Sequence, residues 1–407
     1  MPDMSNPSTD KRALRIVHCL RAPIGGLFRH VCDVAQVQSL SGYDVGILCA
    51  DEPNDPMTEE KLATLKPYCS LGITRISLGR LPGLSDVRAL VAGARTMSKT
   101  QADIVHGHGA KGGLLARLVY ASKPVARIYT PHGGSIHYPP HSLAGLVFGA
   151  AERFMLGRTD GLIFESEFAR SVFADRFGVL PSNSVVVHNG VAADEFEPVV
   201  PVDDASDFVF LGELRELKGI YTLLDAFALL LKQSTASKVP ATLSIVGDGP
   251  DAAAFRSKIA DLGLGSQIRL LGVMSARDAF ARGRVVMMPS HRDSFPYVAL
   301  EAAAAGMPLI ATRTGGVPEI FGPCSEKLVA PGDPAALAAR MMEYLTDKTS
   351  YARTSSLMQE RVRVHFSAEK MAAGVLDVYR AALRMKVDGG SAAARSLSIP
   401  VSMDTAK

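Results

Sequence analysis

The sequence predicts an α/β protein built from two Rossmann-like domains. Three observations carry this. At 407 residues, 47% hydrophobic and 21% charged, the chain is too long for one ordinary core and can fill two. Short apolar runs alternate with stretches of helical periodicity, the βαβ rhythm of parallel sheets. That rhythm breaks at a polar, proline-bearing stretch, residues 191–207, and then restarts. The predicted organisation is a disordered leader (1–12), a first domain (13–195), a second domain (205–365), a closing helix (366–386) and a disordered tail (387–407).

The elements follow in order. Residues 14–20 read as a buried parallel strand, a Gly25-Gly26 loop and a helical stretch (27–40) come next, and 45–49 is the second strand. Residues 104–106 form a short strand that runs into HGHGAKGG, and 125–129 another that runs into TPHGGS. Residues 161–164 are a strand before the helix SEFARSVFADRF, and 185–187 a strand before HNGV. In the second half, FVFLGELRELKG precedes a helix, ATLSIVGDGP precedes another, and IRLLGV, VVMMPS, PLIATR and KLVA supply further strands. Each strand delivers glycine or polar residues at its carboxyl end, where open α/β sheets bind ligands.

Bulk charge narrows the partners. The formal net charge of +3 predicts no nucleic-acid footprint. Residues 1–190 hold 20 Lys+Arg against 16 Asp+Glu, and residues 191–407 hold 24 against 25, so the first half is mildly basic; composition noise is the preferred reading of this asymmetry. The five cysteines have no metal-ligand spacing and read as reduced, cytosolic thiols. The start MPDMSNPSTDKR lacks the apolar run of a signal peptide. No apolar run reaches the ~18 residues of a spanning helix. Residues 139–158 form an amphipathic candidate, read either as docking on a membrane surface or, preferably, as packing on the first sheet.

The most informative stretch is Pro289–Ile320, PSHRDSFPYVALEAAAAGMPLIATRTGGVPEI. It sets Asp293 at a strand end, Glu301 on the following helix and Gly315-Gly316 after the next strand. Carboxylates accept hydrogen bonds from sugar or ribose hydroxyls, and glycine-exposed amides at a helix start hold phosphate. Together they suit a nucleotide-sugar. Lys218, beside Gly219 between a strand and a helix, is placed to meet phosphate oxygens. Helix capping for Asp293, a solvated helix face for Glu301 and a surface lysine for Lys218 are the blander readings.

These motifs, in this order over about residues 14–385, resemble the family 4 retaining glycosyltransferases: Gly25-Gly26, HGH at His106–His108, TPHGG around His132, HNGV at His188–Val191, Lys218-Gly219, GDGP at Gly247–Pro250, the Asp293…Glu301 pair and TGGVPE at Thr314–Glu319. The resemblance implies the GT-B fold. Its two Rossmann-like domains face a central cleft, with the donor on the second domain, the acceptor on the first, and the C-terminal helix crossing back to the first. It implies transfer of a hexose-type sugar from a UDP- or GDP-linked donor to a saccharide or polyprenyl-diphosphate-linked acceptor, in exopolysaccharide or surface-polysaccharide biosynthesis. The expected location is cytoplasmic, with the inner-membrane surface as a docking place. No cofactor and no metal are expected.

By the same resemblance His132, Asp293 and Lys218 are the catalytic set. Lys218 meets the diphosphate, Glu301 the ribose and Asp293 the donor sugar, although the family usually has Glu at the position of Asp293. Gly247, Gly249 and the Ser294–Phe295–Pro296–Tyr297 segment complete the donor site, the latter through its amides. Gly25 and Gly26 bring a loop to the diphosphate or merely form a tight turn. The family's usual arginine after the strand-end glycine is Glu213 here, and Arg215 either replaces it or flanks a helix. His106, His108 and Lys111 are acceptor candidates, with one of the two histidines expected to be structural. Eight of the ten histidines lie in the first 190 residues. His137 and His141 suit a loop better than a metal site. The alternatives are a non-catalytic nucleotide-sugar-binding relative and an NAD-dependent oxidoreductase, the latter resting on the isolated GDGPDA match at Gly247–Ala252.

Overall fold

The computed structural model describes residues 12–79, 83–133, 143–233 and 240–396. The expected leader lies almost wholly outside these residues, as do His137, His141 and the chain from 397 on. The chain divides into two compact units. One comprises the chain up to Ile163, Arg176–Val185 and everything from Gly374 on; the other comprises Phe164–Asp175 and Val186–Ala373.

Seven strands form the first sheet: β1 (Arg15–Cys19), β2 (Asp44–Ala50), β3 (Gly72–Ile76), β4 (Ile104–His108), β5 (Ala126–Thr130), β6 (Gly161–Phe164) and β7 (Ser184–Val186), in the order β3-β2-β1-β4-β5-β6-β7. β1 pairs in parallel with β2 and β4. The order reverses between β1 and β4, the topological switch point of a doubly wound sheet. Ile16, Val17, Val105 and Ile128 are fully buried because helices cover both faces, which is why these strands are continuously apolar in sequence. β3 is one of the two edge strands; its half-exposed GITRI has no apolar run to announce it.

Helix Leu143–Leu156 is anchored within the first unit by Glu152, which takes a buried ion pair from Arg117 at 2.5 Å. The Arg117 guanidinium also lies 3.9 Å from the Tyr129 ring centre. This is the sheet-packed reading of the amphipathic segment, although Leu146 and Phe154 remain exposed. Among the described residues no helix is long and apolar enough to cross a membrane.

The second sheet contains β8 (Ser206–Leu211), β9 (Leu243–Val246), β10 (Ile268–Leu270), β11 (Gly283–Met288) and β12 (Leu309–Ala311), in the order β10-β9-β8-β11-β12. Its switch point lies between β8 and β11, which pair in parallel from Gly283–Ser206 to Met287–Phe210. Phe208, Phe210, Leu223, Phe227 and Met287 form the core on one face.

Two expectations about segments are corrected. The polar stretch 191–207, which has the composition of a domain linker, is instead tied to the second unit, since Val199 N–H donates to Ala305 O and Val202 N–H to Ala281 O. The closing helix runs from Ala368 to Ser396, ten residues past its expected end at 386 and through the Gly389-Gly390 pair that suggested a stop.

Candidate functional site

In the second unit the loops after β8 and β11 flank the switch point and meet there. Lys218 ends a single 3₁₀ turn (Glu216–Lys218), and Gly219 follows at φ +71°. Gly219 is required at this point. A Cβ there would sit 1.9 Å from Pro289 O, so only glycine lets the two loops approach so closely. His291 N–H donates to Leu217 O (2.9 Å), and the Thr222 hydroxyl bonds His291 Nε2 (2.9 Å). The result is that Lys218 Nζ lies 2.7 Å from Asp293 Oδ1. The other oxygen, Asp293 Oδ2, is buried with no hydrogen-bond partner among the described residues. Such an atom is costly unless something supplies a donor.

The Gly315-Gly316 turn closes the loop from the other side. Gly316 N–H donates to Ser294 O at 2.7 Å, and a Cβ on Gly315 (φ +53°) would fall 1.5 Å from Asp293 O. Helix Tyr297–Ala304 begins next, and its Glu301 is only 8% exposed. That is deeper than a solvated helix face.

The expected donor segment is refined by its packing. The Phe295 and Tyr297 side chains are buried, Phe295 against Phe366 and His188. Pro296 caps the helix and has no N–H to give. These residues therefore face a ligand through backbone groups only, and Pro296 is corrected to a structural role. The Ser294 hydroxyl bonds Glu165, a fully buried carboxyl that burial pushes up to about 7. Glu165 carries no motif signal in the sequence.

Arg215 is largely exposed and turned towards Glu213, 3.9 Å away. The glutamate that replaces the family's usual arginine thus partly neutralises the nearest substitute. Gly247 and Gly249 approach backbone instead of open space: a Cβ on Gly247 would strike Gly212 O and one on Gly249 would strike Leu214 O. Their glycine requirement is met by loop packing, which also removes the main support for a dinucleotide fingerprint.

The HNGV and VPE motifs clamp this region. Asn189 Nδ2 donates to Phe295 O (3.0 Å), and Glu319 accepts from the N–H groups of Glu167 and Phe168 (3.0 Å each) and pairs with His188 Nε2 (2.9 Å). Burial alone would raise the Glu319 carboxyl, but these donors bring it below the usual carboxylate range. The motifs were visible in sequence, yet nothing in them named this contact.

In the first unit five histidines gather at the switch point. β1–β4 register places His18 directly beside His106, and alternation puts His108 on the same face. His106 is fully buried, bonded through Nδ1 to the Tyr379 hydroxyl (2.7 Å) and through Nε2 to Thr130 Oγ1 (2.8 Å). It is therefore corrected from acceptor contact to core residue. His108, 1% exposed, bonds His18 and His132. His18 falls to about 4 through burial, only partly offset by Gln38; burial also holds His106, His108 and His132 well below the ordinary range, so these four are neutral at pH 7.

Among the described residues, His18–His106–His108 and His30–His108–His132 each bring ligand nitrogens within 4.8 Å, a grouping that paired-spacing rules did not reveal. Both nitrogens of His18, His106 and His108 already have hydrogen-bond partners, so a metal would have to displace them. Lys111 pairs with Asp86 at 2.5 Å in the first unit. Gly25 opens helix Gly25–Leu40 at φ +67° with nothing within 4 Å of its missing Cβ, leaving its amide approachable.

Two family models match this chain, one in each half of the sequence. The family model "Glycosyltransferase Family 4" matches residues 24–195, and "Glycosyl transferases group 1" matches residues 205–347. Glycogen synthase of Mycobacterium tuberculosis is 25% identical over 392 residues, covering 89% of this chain and 92% of that protein. D-inositol 3-phosphate glycosyltransferase of Streptomyces avermitilis is 28% identical over 316 residues, covering 69% and 66%. Among solved structures, sucrose-phosphate synthase from Thermosynechococcus elongatus superposes with a TM-score of 0.74 at 21% identity, covering 91% of this chain and 98% of that one. Anabaena HepE in complex with UDP gives 0.71 at 18% identity, covering 89% and 99%. At these identities the solved structures speak for the fold.

Proposed function

Because this chain belongs to the family 4 glycosyltransferases, with their two-domain GT-B fold, it transfers a glycosyl group, and we propose that it moves a hexose-type sugar with retention from a nucleoside diphosphate to a saccharide acceptor. The observation that carries the donor assignment is the Lys218–Asp293 contact at 2.7 Å beside the unpartnered Asp293 Oδ2. A cation and a carboxylate oxygen still lacking a donor, at one switch point, suit the two ends of a sugar diphosphate. Lys218 neutralises the departing phosphate, Asp293 Oδ2 accepts from a sugar hydroxyl, and Glu301 accepts from the ribose hydroxyls.

In the transfer itself the acceptor oxygen bonds to the anomeric carbon from the face on which the leaving group departs. The bond from that carbon to the diphosphate oxygen breaks, and the acceptor proton passes to the departing phosphate. Products are the glycoside and the nucleoside diphosphate. Preorganised charge around the leaving group is the largest contribution. A uridine or guanosine donor is favoured, in line with the UDP bound by the structurally similar HepE. The acceptor is a saccharide, free or carried on a polyprenyl diphosphate, within surface-polysaccharide assembly, and the exposed Leu146 and Phe154 offer a contact with an inner-membrane surface.

A screen of UDP- and GDP-sugars for diphosphate release identifies the donor. With it, Lys218→Ala and Glu301→Gln should each lower kcat/KM at least about tenfold, ~1.4 kcal/mol of barrier. Release that neither substitution slows would disprove the donor site.

A further inference from the structure

The histidines of the first unit form a row with a direction. Gln38 presents Oε1 to His18 Nε2 at 2.9 Å. His18 Nδ1 lies 3.0 Å from His108 Nε2, and His108 Nδ1 lies 3.2 Å from His132 Nε2. Gln38, His18 and His108 are essentially inaccessible, so water does not compete for these bonds. A neutral imidazole has one N–H and one lone pair. A row of neutral imidazoles must therefore run head to tail, and whichever group ends the row chooses the sense. An amide oxygen only accepts. His18 then carries its proton on Nε2, His108 on Nε2 and His132 on Nε2.

We propose that Gln38, acting through His18 and His108, locks His132 as the Nε2–H tautomer and turns its Nδ1 lone pair into a fixed acceptor for a hydroxyl of the bound sugar. Gln38, His18 and His108 are positioning residues; His132 alone touches the ligand. The backbone agrees with a residue held for a purpose. His132 sits at φ +48°, a left-handed conformation uncommon outside glycine, at the carboxyl end of β5. His30, whose ring stands edge-on to His132 with centroids 4.9 Å apart, fixes the ring plane from the side. The acceptor role rests on the glycosyl-transfer reading; the tautomer does not.

Long-range ¹H–¹⁵N correlation spectra of the full chain with ¹⁵N-histidine test the tautomer directly. In the wild type, His18, His108 and His132 should each show a protonated Nε2 and a pyridine-type Nδ1. Gln38→Glu keeps an oxygen acceptor and should preserve this pattern. Gln38→Leu removes it and should leave His132 as a mixture of tautomers, with kcat/KM for diphosphate release down at least about tenfold and recovered in Gln38→Glu. A wild-type His132 protonated on Nδ1 overturns the proposal without any variant. Lost turnover in Gln38→Leu with the His132 tautomer unchanged also overturns it, since Gln38 would then act only in packing. Expected tautomers with full turnover in His132→Ala would end the sugar-contact reading of His132 while leaving the relay standing.

Discussion

Replacing Gly219 by alanine should separate loop geometry from stability. The added Cβ would lie 1.9 Å from Pro289 O, whereas real Cβ contacts stay beyond 3.0 Å, so the loops after β8 and β11 must part by about 1.1 Å. The strain has few other outlets, because Leu217, Thr222 and Thr314 all bond His291 in the opposing loop, at 2.9, 2.9 and 3.0 Å. The movement therefore falls on the Lys218–Asp293 contact. A misplacement of ~1 Å in a preorganised site costs about a hundredfold in rate, ~2.7 kcal/mol. Forcing alanine to φ +71° adds ~1–2 kcal/mol of destabilisation. Gly263→Ala is the control. Gly263 has φ +69° and nothing within 4 Å of its missing Cβ, so it bears the backbone cost without the clash. Thermal unfolding and kcat/KM for diphosphate release are measured on both. Gly263→Ala should lose stability and keep turnover; Gly219→Ala should lose both. Turnover in Gly219→Ala within about threefold of the wild type would refute the claim that this close approach sets the site.

Glu319→Gln should destabilise the protein by about 2 kcal/mol through loss of charge-assisted bonds from the Glu167 and Phe168 amides, read by urea unfolding. Because the folded carboxyl lies below its ordinary range, its contribution is present at neutral pH and disappears as pH falls through that depressed value, and the variant should lack this part of the acid dependence. Arg117→Met leaves Glu152 buried and unpaired and should cost ~3–5 kcal/mol, whereas the double change Arg117→Met with Glu152→Leu should recover most of it in the same measurement.

The strands around both switch points were legible because parallel strands covered on both faces are continuously apolar, as with Ile16–Val17 and Val285–Met288. Lys218 and Asp293 stood out in the sequence because glycine-bearing loops after strands carry a strong local signature, and the structure brings the two side chains together; the part that they and Glu301 play toward a donor is a proposal. β3 escaped notice because an edge strand needs no apolar run. Glu165 and the partners of Glu319 escaped notice because their contacts join distant segments, Glu319 reaching across 152 residues to Glu167.

Read alone, the chain determined two nucleotide-fold halves and the order of their elements, since periodicity and turn chemistry are local, while the family entered through the resemblance of its motifs. It also placed His106 and His108 two apart on one strand face. Only the tertiary structure decided that His106 is enclosed while His108 links His18 to His132, and that Lys218 and Asp293 touch. Those outcomes depend on strand register and on backbone approaches of a few ångströms between segments far apart in sequence, and no local pattern encodes such distances.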